Sequence, residues 1–114
     1  MRVREIAERI QPQLVELRRY FHMYPEPSWK EANTANKIVA ELTKLGIPVI
    51  RLAKTGVVGT LKGGQPGPTV ALRADIDALS IKEQAETTYV SRNDGYMHAC
   101  GHDCHIACLL GAAM

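Results

Sequence analysis

The sequence predicts an α/β fold, with helices packed on a mixed β-sheet. Three observations carry this. Two amphipathic helical stretches open the chain, three short β-branched runs follow, and an apolar stretch of small residues comes last. Helix, helix, several strands and helix is the order of a layered domain whose helices cover a sheet. The 114 residues suit a single domain.

The elements can be justified in turn. Ile6, Ile10, Leu14, Leu17 and Phe21 recur at steps of four, four, three and four, which makes one stripe along a helix. Pro12 lies inside that helix and is expected to kink or delay it, and Pro25 and Pro27 end it. Ser28 and Glu31 read as an S-x-x-E capping box for a second helix through Ala35, Ile38, Val39, Leu42 and Leu45. Gly46 supplies the left-handed residue that closes it. Ile47–Leu52, Val57–Leu61 and Thr69–Leu72 then read as strands. Gly63, Gly64, Pro66, Gly67 and Pro68 read as a hairpin-type connection between the last two. Residues 75–91 are mixed, a loop with short pieces of strand. From about Asp103, Ile106, Ala107, Leu109, Leu110 and Ala113 suggest a buried helix, which reaches Met114 with no stop signal and so points to a polypeptide cut short.

Composition excludes several functions. The chain is 46% apolar and 23% charged, as ordinary globular proteins are. Its net charge of +2 is spread without a basic run or an aromatic-interleaved patch, which speaks against nucleic acid as a partner. No stretch approaches the roughly 20 apolar residues of a membrane helix, and residues 1–10 lack the apolar core of a secretory signal. An odd set of cysteines, Cys100, Cys104 and Cys108, then reads as reduced thiols in the cytoplasm rather than a disulfide framework.

The densest chemistry runs from His98 to His105: three histidines and two cysteines in eight positions. Imidazole and thiolate are preferred ligands of Zn²⁺ and its neighbours, and Asp103 adds a hard ligand or a partner behind one. Cys100 and His102, two apart, can aim the same way from an extended backbone, with Gly101 allowing close approach. The competing reading is a buried helix face, because Cys100, Cys104 and Cys108 fall at i, i+4 and i+8 and free cysteine often packs as a small hydrophobe. A structural zinc finger is weaker, since no second Cys or His pair stands elsewhere. The run Arg73 to Leu79 places Asp75 and Asp77 just after an apolar strand, where α/β proteins put active sites; alone, it reads more readily as solvated charge at a strand end. Arg18, Arg19, His22, Pro25 and Glu26 read as a basic helix end and turn, without chemistry.

Taken together, these segments resemble one family. R-R-x-x-H-x-x-P-E at Arg18 to Glu26, T-G-V-V at Thr55 to Val58, P-G-P at Pro66 to Pro68, A-L-R-A-D-x-D-A-L at Ala71 to Leu79 and M-H-A-C-G-H-D-x-H at Met97 to His105 are similar to the aminoacylase/carboxypeptidase metallohydrolases. The likeness is to their amidohydrolase branch of hippurate hydrolases, auxin-conjugate hydrolases and N-acetyl-diaminopimelate deacetylases. It implies that residues 1–114 are the N-terminal portion of a zinc-exopeptidase-like catalytic domain, without the dimerisation domain. It implies hydrolysis of N-acyl amino acids or short peptides by a homo-oligomer, using two divalent ions, manganese or zinc. By position it implies metal ligation by Cys100 and His102, with His102 bridging the ions, and matches Asp77 to the catalytic aspartate that orients a ligand. Asp75 stands where related branches carry a ligating histidine. The family's general-base glutamate and further ligands would lie beyond Met114, so the chain alone is expected to be inactive. A non-catalytic metal-binding or self-associating module is the alternative. Cys104 and Ile106 depart from the usual glycine and threonine, and Pro27 from the usual leucine.

Overall fold

The computed structural model describes residues 2–114. Helix α1 spans Val3–Met23 and runs through Pro12 unbroken. Proline withholds one helical hydrogen bond, but Pro12 is exposed, and the stripe on the opposite face buries Leu17 and Phe21. Helix α2 spans Ala32–Lys44 and ends as expected at Gly46, with φ of +73°. The Gly46 N–H donates to the Thr43 carbonyl at 2.9 Å and the Ile47 N–H to the Leu42 carbonyl at 3.0 Å, the paired bonds that satisfy a helix C-terminus.

The start of α2 departs from the capping box. Neither Ser28 nor Glu31 caps the helix: the Ser28 hydroxyl donates to Asp77, and Glu31 accepts from the Thr55 hydroxyl. Glu26 does the capping from further back. One of its carboxylate oxygens accepts from the Thr34 N–H at 2.6 Å and the Thr34 hydroxyl at 2.7 Å, and the other accepts from Asn33. An anion at this end also meets the positive pole of the helix.

Strands β1 (Val49–Leu52) and β2 (Gly56–Gly59) form a two-stranded antiparallel sheet in which Val49 faces Gly59 and Leu52 faces Gly56. The hairpin therefore joins the first two predicted strands, and the Gly/Pro run from Gly63 to Pro68 does not make one. The turn holds Ala53 and Lys54 at φ of +49° and +66°, the left-handed region that residues with a Cβ seldom enter. Thr69–Leu72 forms no strand; Val70 is 83% exposed and Leu72 69%. A β-branched run becomes a strand only when a neighbour pairs with it, and among the described residues none does. The pairing beyond the hairpin consists of isolated bridges, a parallel one from Pro27 to Ala78 and an antiparallel one from Leu79 to Met97. The α/β class stands, with a much smaller sheet than the apolar runs suggested.

Helix α3 spans His102–Ala113. Asp103, Ile106, Ala107 and Leu110 are its buried stripe, and the three apolar members meet Leu17 and Phe21 of α1 and Ile38 of α2 in the core. The helices α1 and α3 come close at Gly111, where a Cβ would stand 2.7 Å from the end of the Leu14 side chain. Cys100, Cys104 and Cys108 are all exposed and free. That overturns the buried-cysteine reading: the stripe at i, i+3, i+4 and i+7 from Asp103 is the one that packs, and the thiols lie on the other side. No helix among the described residues is long and apolar enough to cross a membrane.

Candidate metal centre

Three segments distant in sequence meet at the N-terminus of α3. The turn Pro25–Lys30 is stitched to residues 77–78 by the Ala78 N–H, which donates to the Glu26 carbonyl at 2.8 Å. Leu79 and Met97 then exchange paired backbone bonds of 3.0 Å, which brings the His98–His105 run alongside Asp77. Gly101, at φ of +97°, turns the chain into α3. Nothing lies within 4 Å of where its Cβ would be, so the backbone angle and not crowding asks for glycine there.

The ring of His102 is held from behind. Its Nδ1 lies 2.9 Å from the Asp77 carbonyl and 3.0 Å from Asp77 Oδ1. Both neighbours accept only, so Nδ1 carries a proton, and in the neutral tautomer this selects, Nε2 presents its lone pair. Nε2 stands 4.0 Å from Asp75 Oδ2. The exposed Cys100 Sγ lies 4.0 Å from the Asp77 carbonyl, on the same residue that holds His102. Asp77 Oδ2 accepts from the Ser28 hydroxyl at 2.6 Å. That hydroxyl, and after it the backbone and His102, hold the Asp77 carboxyl below the usual carboxylate range despite partial burial. The other Asp75 oxygen accepts from Arg73 Nε at 3.0 Å and from its terminal nitrogen at 2.8 Å. Asp75 and Asp77 are thus placed by a bridge and a turn, and not by the end of a regular strand.

This donor set fits a divalent ion. An imidazole whose far nitrogen is bonded to a carboxylate is the common arrangement of a ligating histidine; Asp75 Oδ2 lies 4.0 Å from its Nε2, and the Cys100 thiol lies by the Asp77 carbonyl. Among the described residues, no three His, Cys, Asp or Glu side chains are gathered closely enough to hold an ion by themselves.

Asp103 takes no part in that set. It is 1% exposed; its Oδ2 accepts from Arg18 Nε at 3.0 Å and contacts His22 Nδ1 at 2.8 Å, while Oδ1 accepts from the Cys104 N–H. The other ring nitrogen of His22 lies 2.7 Å from Glu83 Oε2. Burial opposes ionisation of Glu83, but the His22 ring and the Ser91 N–H outweigh it and hold the carboxyl below its usual range. Where the sequence suggested only a basic helix end, His22 and Arg18 share a buried network with Asp103, which belongs to that network instead of to the ligands. Glu83 gave no signal in the sequence. His98 is buried, and neither of its ring nitrogens finds a partner among the described residues. Burial pushes its pKa down, so the ring is neutral.

With this geometry in view, comparison with known proteins is informative. Residues 71–114 match the model of the peptidase family M20/M25/M40. The chain is 48% identical over 113 residues to thermostable carboxypeptidase 1 of Saccharolobus solfataricus, covering 97% of this chain and 28% of that protein. It is 49% identical over 105 residues to the N-acetyl-L-cysteine deacetylase of Bacillus subtilis, covering 91% of this chain and 25% of the relative. The crystal structure of the YXEP protein of Bacillus subtilis, described as a dinuclear metal-binding peptidase of family M20, superposes with a TM-score of 0.88 at 42% identity. That match covers 93% of this chain and 30% of the other. The chain therefore spans 25–30% of the lengths of these relatives. On these matches the chain belongs to the M20/M25/M40 peptidase family.

Proposed function

We propose that this chain supplies part of a dinuclear metal site in an amidohydrolase that splits the amide bond of N-acyl amino acids or short peptides. The observation that carries the reading is His102, with Nδ1 secured on Asp77 and Nε2 left open beside Asp75. Cys100 and His102 are the two ligands, and Asp77 is the aspartate that orients His102. Relatives named as a carboxypeptidase and an N-acetyl-L-cysteine deacetylase support the substrate class, and a relative described as dinuclear supports two ions, manganese or zinc. When bound, such ions polarise a carbonyl and acidify a water.

In this reading the chain's own residues hold and orient ligands. Asp77 fixes the tautomer and direction of His102, and the exposed Cys100 thiol needs only to lose its proton to ligate. The two-ligand donor set supports the further reading that residues 1–114, as the N-terminal portion of the catalytic domain, are inactive alone. Three free exposed thiols accord with the reducing cytoplasm. The test is a chimera in which these residues replace the matching segment of the Saccharolobus carboxypeptidase. Hydrolysis of N-acyl amino acids that EDTA abolishes and that His102→Ala removes is expected; full activity in the His102→Ala chimera refutes the assignment.

A second reading has its own observation. Leu61, Val70, Leu72, Ile50 and Leu52 are apolar and more than half exposed. Such surface beside an unpaired strand edge favours self-association, in line with a homo-oligomer. Sedimentation across a concentration series tests it: a monomer at every concentration rules it out.

A further inference from the structure

We infer that Ser28 is a positioning residue for the metal centre, a role that rests on the reading of His102 as a ligand. The Ser28 hydroxyl donates to Asp77 Oδ2 at 2.6 Å across 49 residues of sequence, while Asp77 Oδ1 faces His102 Nδ1 at 3.0 Å. A carboxylate held at one oxygen cannot swing the other away from the imidazole without breaking that bond. The serine is in turn held in place. Its predecessor Pro27 bridges Ala78, and the Pro27 carbonyl accepts from the Lys30 N–H at 3.0 Å. Its successor Trp29 sits at φ of +67° with 70% of its surface exposed. An exposed tryptophan in the left-handed region gains little from burial, so the turn is kept by what the rest of it bonds. Glu26 ties one side of the turn to α2, and Ser28 ties the other to Asp77. The hydroxyl is thereby spent on Asp77, where a cap for α2 was the obvious use.

The test reads the His102 ring in the metal-free chain by ¹⁵N NMR. In S28A the His102 Nδ1–H should exchange with solvent about tenfold faster or more, the change in rate that loss of one hydrogen bond to a charged group implies. In S28T, which keeps a hydroxyl, the rate should return to within about twofold of the parent, with circular dichroism and unfolding midpoint unchanged in both. An unaltered rate in S28A, or equal acceleration in S28A and S28T with the fold intact, overturns the proposal. Loss of the fold in either variant also overturns it, since Ser28 would then be a structural residue. Failure of the metal reading is a separate result, seen in the unsubstituted chain as no response of His102 Nε2 or Cys100 to added Zn²⁺.

Discussion

His102 and Asp103 are neighbours in sequence and belong to opposite kinds of site. Asp103 is sealed beneath α3, its two oxygens occupied by Arg18, His22 and the Cys104 N–H. His102 lies at the open face, with one nitrogen secured on Asp77 and the other unspent. The buried network is saturated, which suits a part that fixes the helix end. The open cluster leaves a ring nitrogen, a thiol and a carboxylate oxygen to be used, which suits a part that receives something from outside. On the proposed reading, one motif thus divides between holding and binding, and the boundary falls between two adjacent residues.

The division sets the expected size of mutational effects. Asp103→Ala should be the most damaging, because it leaves Arg18 and His22 facing each other without their shared carboxylate. Breaking a buried charge network by removing one partner costs about 3–5 kcal/mol, to be measured by urea unfolding. A loss below about 1 kcal/mol would mean the network contributes little. Glu83→Gln removes a charge-assisted partner of His22 and should cost about 1–3 kcal/mol.

Acid should test Glu83 together with Glu41 of α2. Glu83 and Glu41 both titrate below their usual range in the folded chain. Burial opposes the shift in each, His22 and Ser91 outweigh it for Glu83, and Lys37 and Lys44 do so for Glu41. A carboxyl depressed by folding contributes fully above its unfolded value of about 4.3 and loses that contribution as pH falls through the lower folded value. The part of stability that these two carboxyls supply should therefore hold above about pH 5, decline below about pH 4, and decline less in Glu83→Gln. A parallel decline in both chains would exclude Glu83 from acid sensitivity.

Substitutions at the open face should cost less stability. Cys100→Ser is expected within about 0.5 kcal/mol of the parent and His102→Ala, which gives up its bonds to Asp77, within about 1.5 kcal/mol, with the main effect appearing in metal binding. All three cysteines should react with a thiol reagent in the folded chain, as their exposure requires. A Cys104 or Cys108 thiol that reacts only on unfolding would contradict the orientation of α3.

What the sequence disclosed follows from what was local. The helices showed in their apolar spacing, Gly46 in its conformation, and the His98–His105 cluster in its density of ligand types. What failed depended on partners far along the chain. Ser28 and Glu31 had the spacing of a capping box, but Asp77 and Thr55 compete for their side chains. Thr69–Leu72 had the composition of a strand but lacks a neighbour to pair with. Glu83 lies in a stretch with no periodicity, and only the fold brings it to His22, 61 residues away. The cysteines at i, i+4 and i+8 could mark either a buried or an exposed face. The stripe beginning at Asp103 decides, and its polar first member hid it.

The most direct test is a Zn²⁺ titration of the ¹⁵N,¹³C-labelled chain at neutral pH, following every histidine ring and cysteine Cβ together. The expected result is saturable change at His102 Nε2 and the Cys100 Cβ, with the His22 ring unmoved and the response lost in His102→Ala. Change centred on His22, or saturation that survives His102→Ala, would contradict the assignment of the open face as the metal-binding half of the motif.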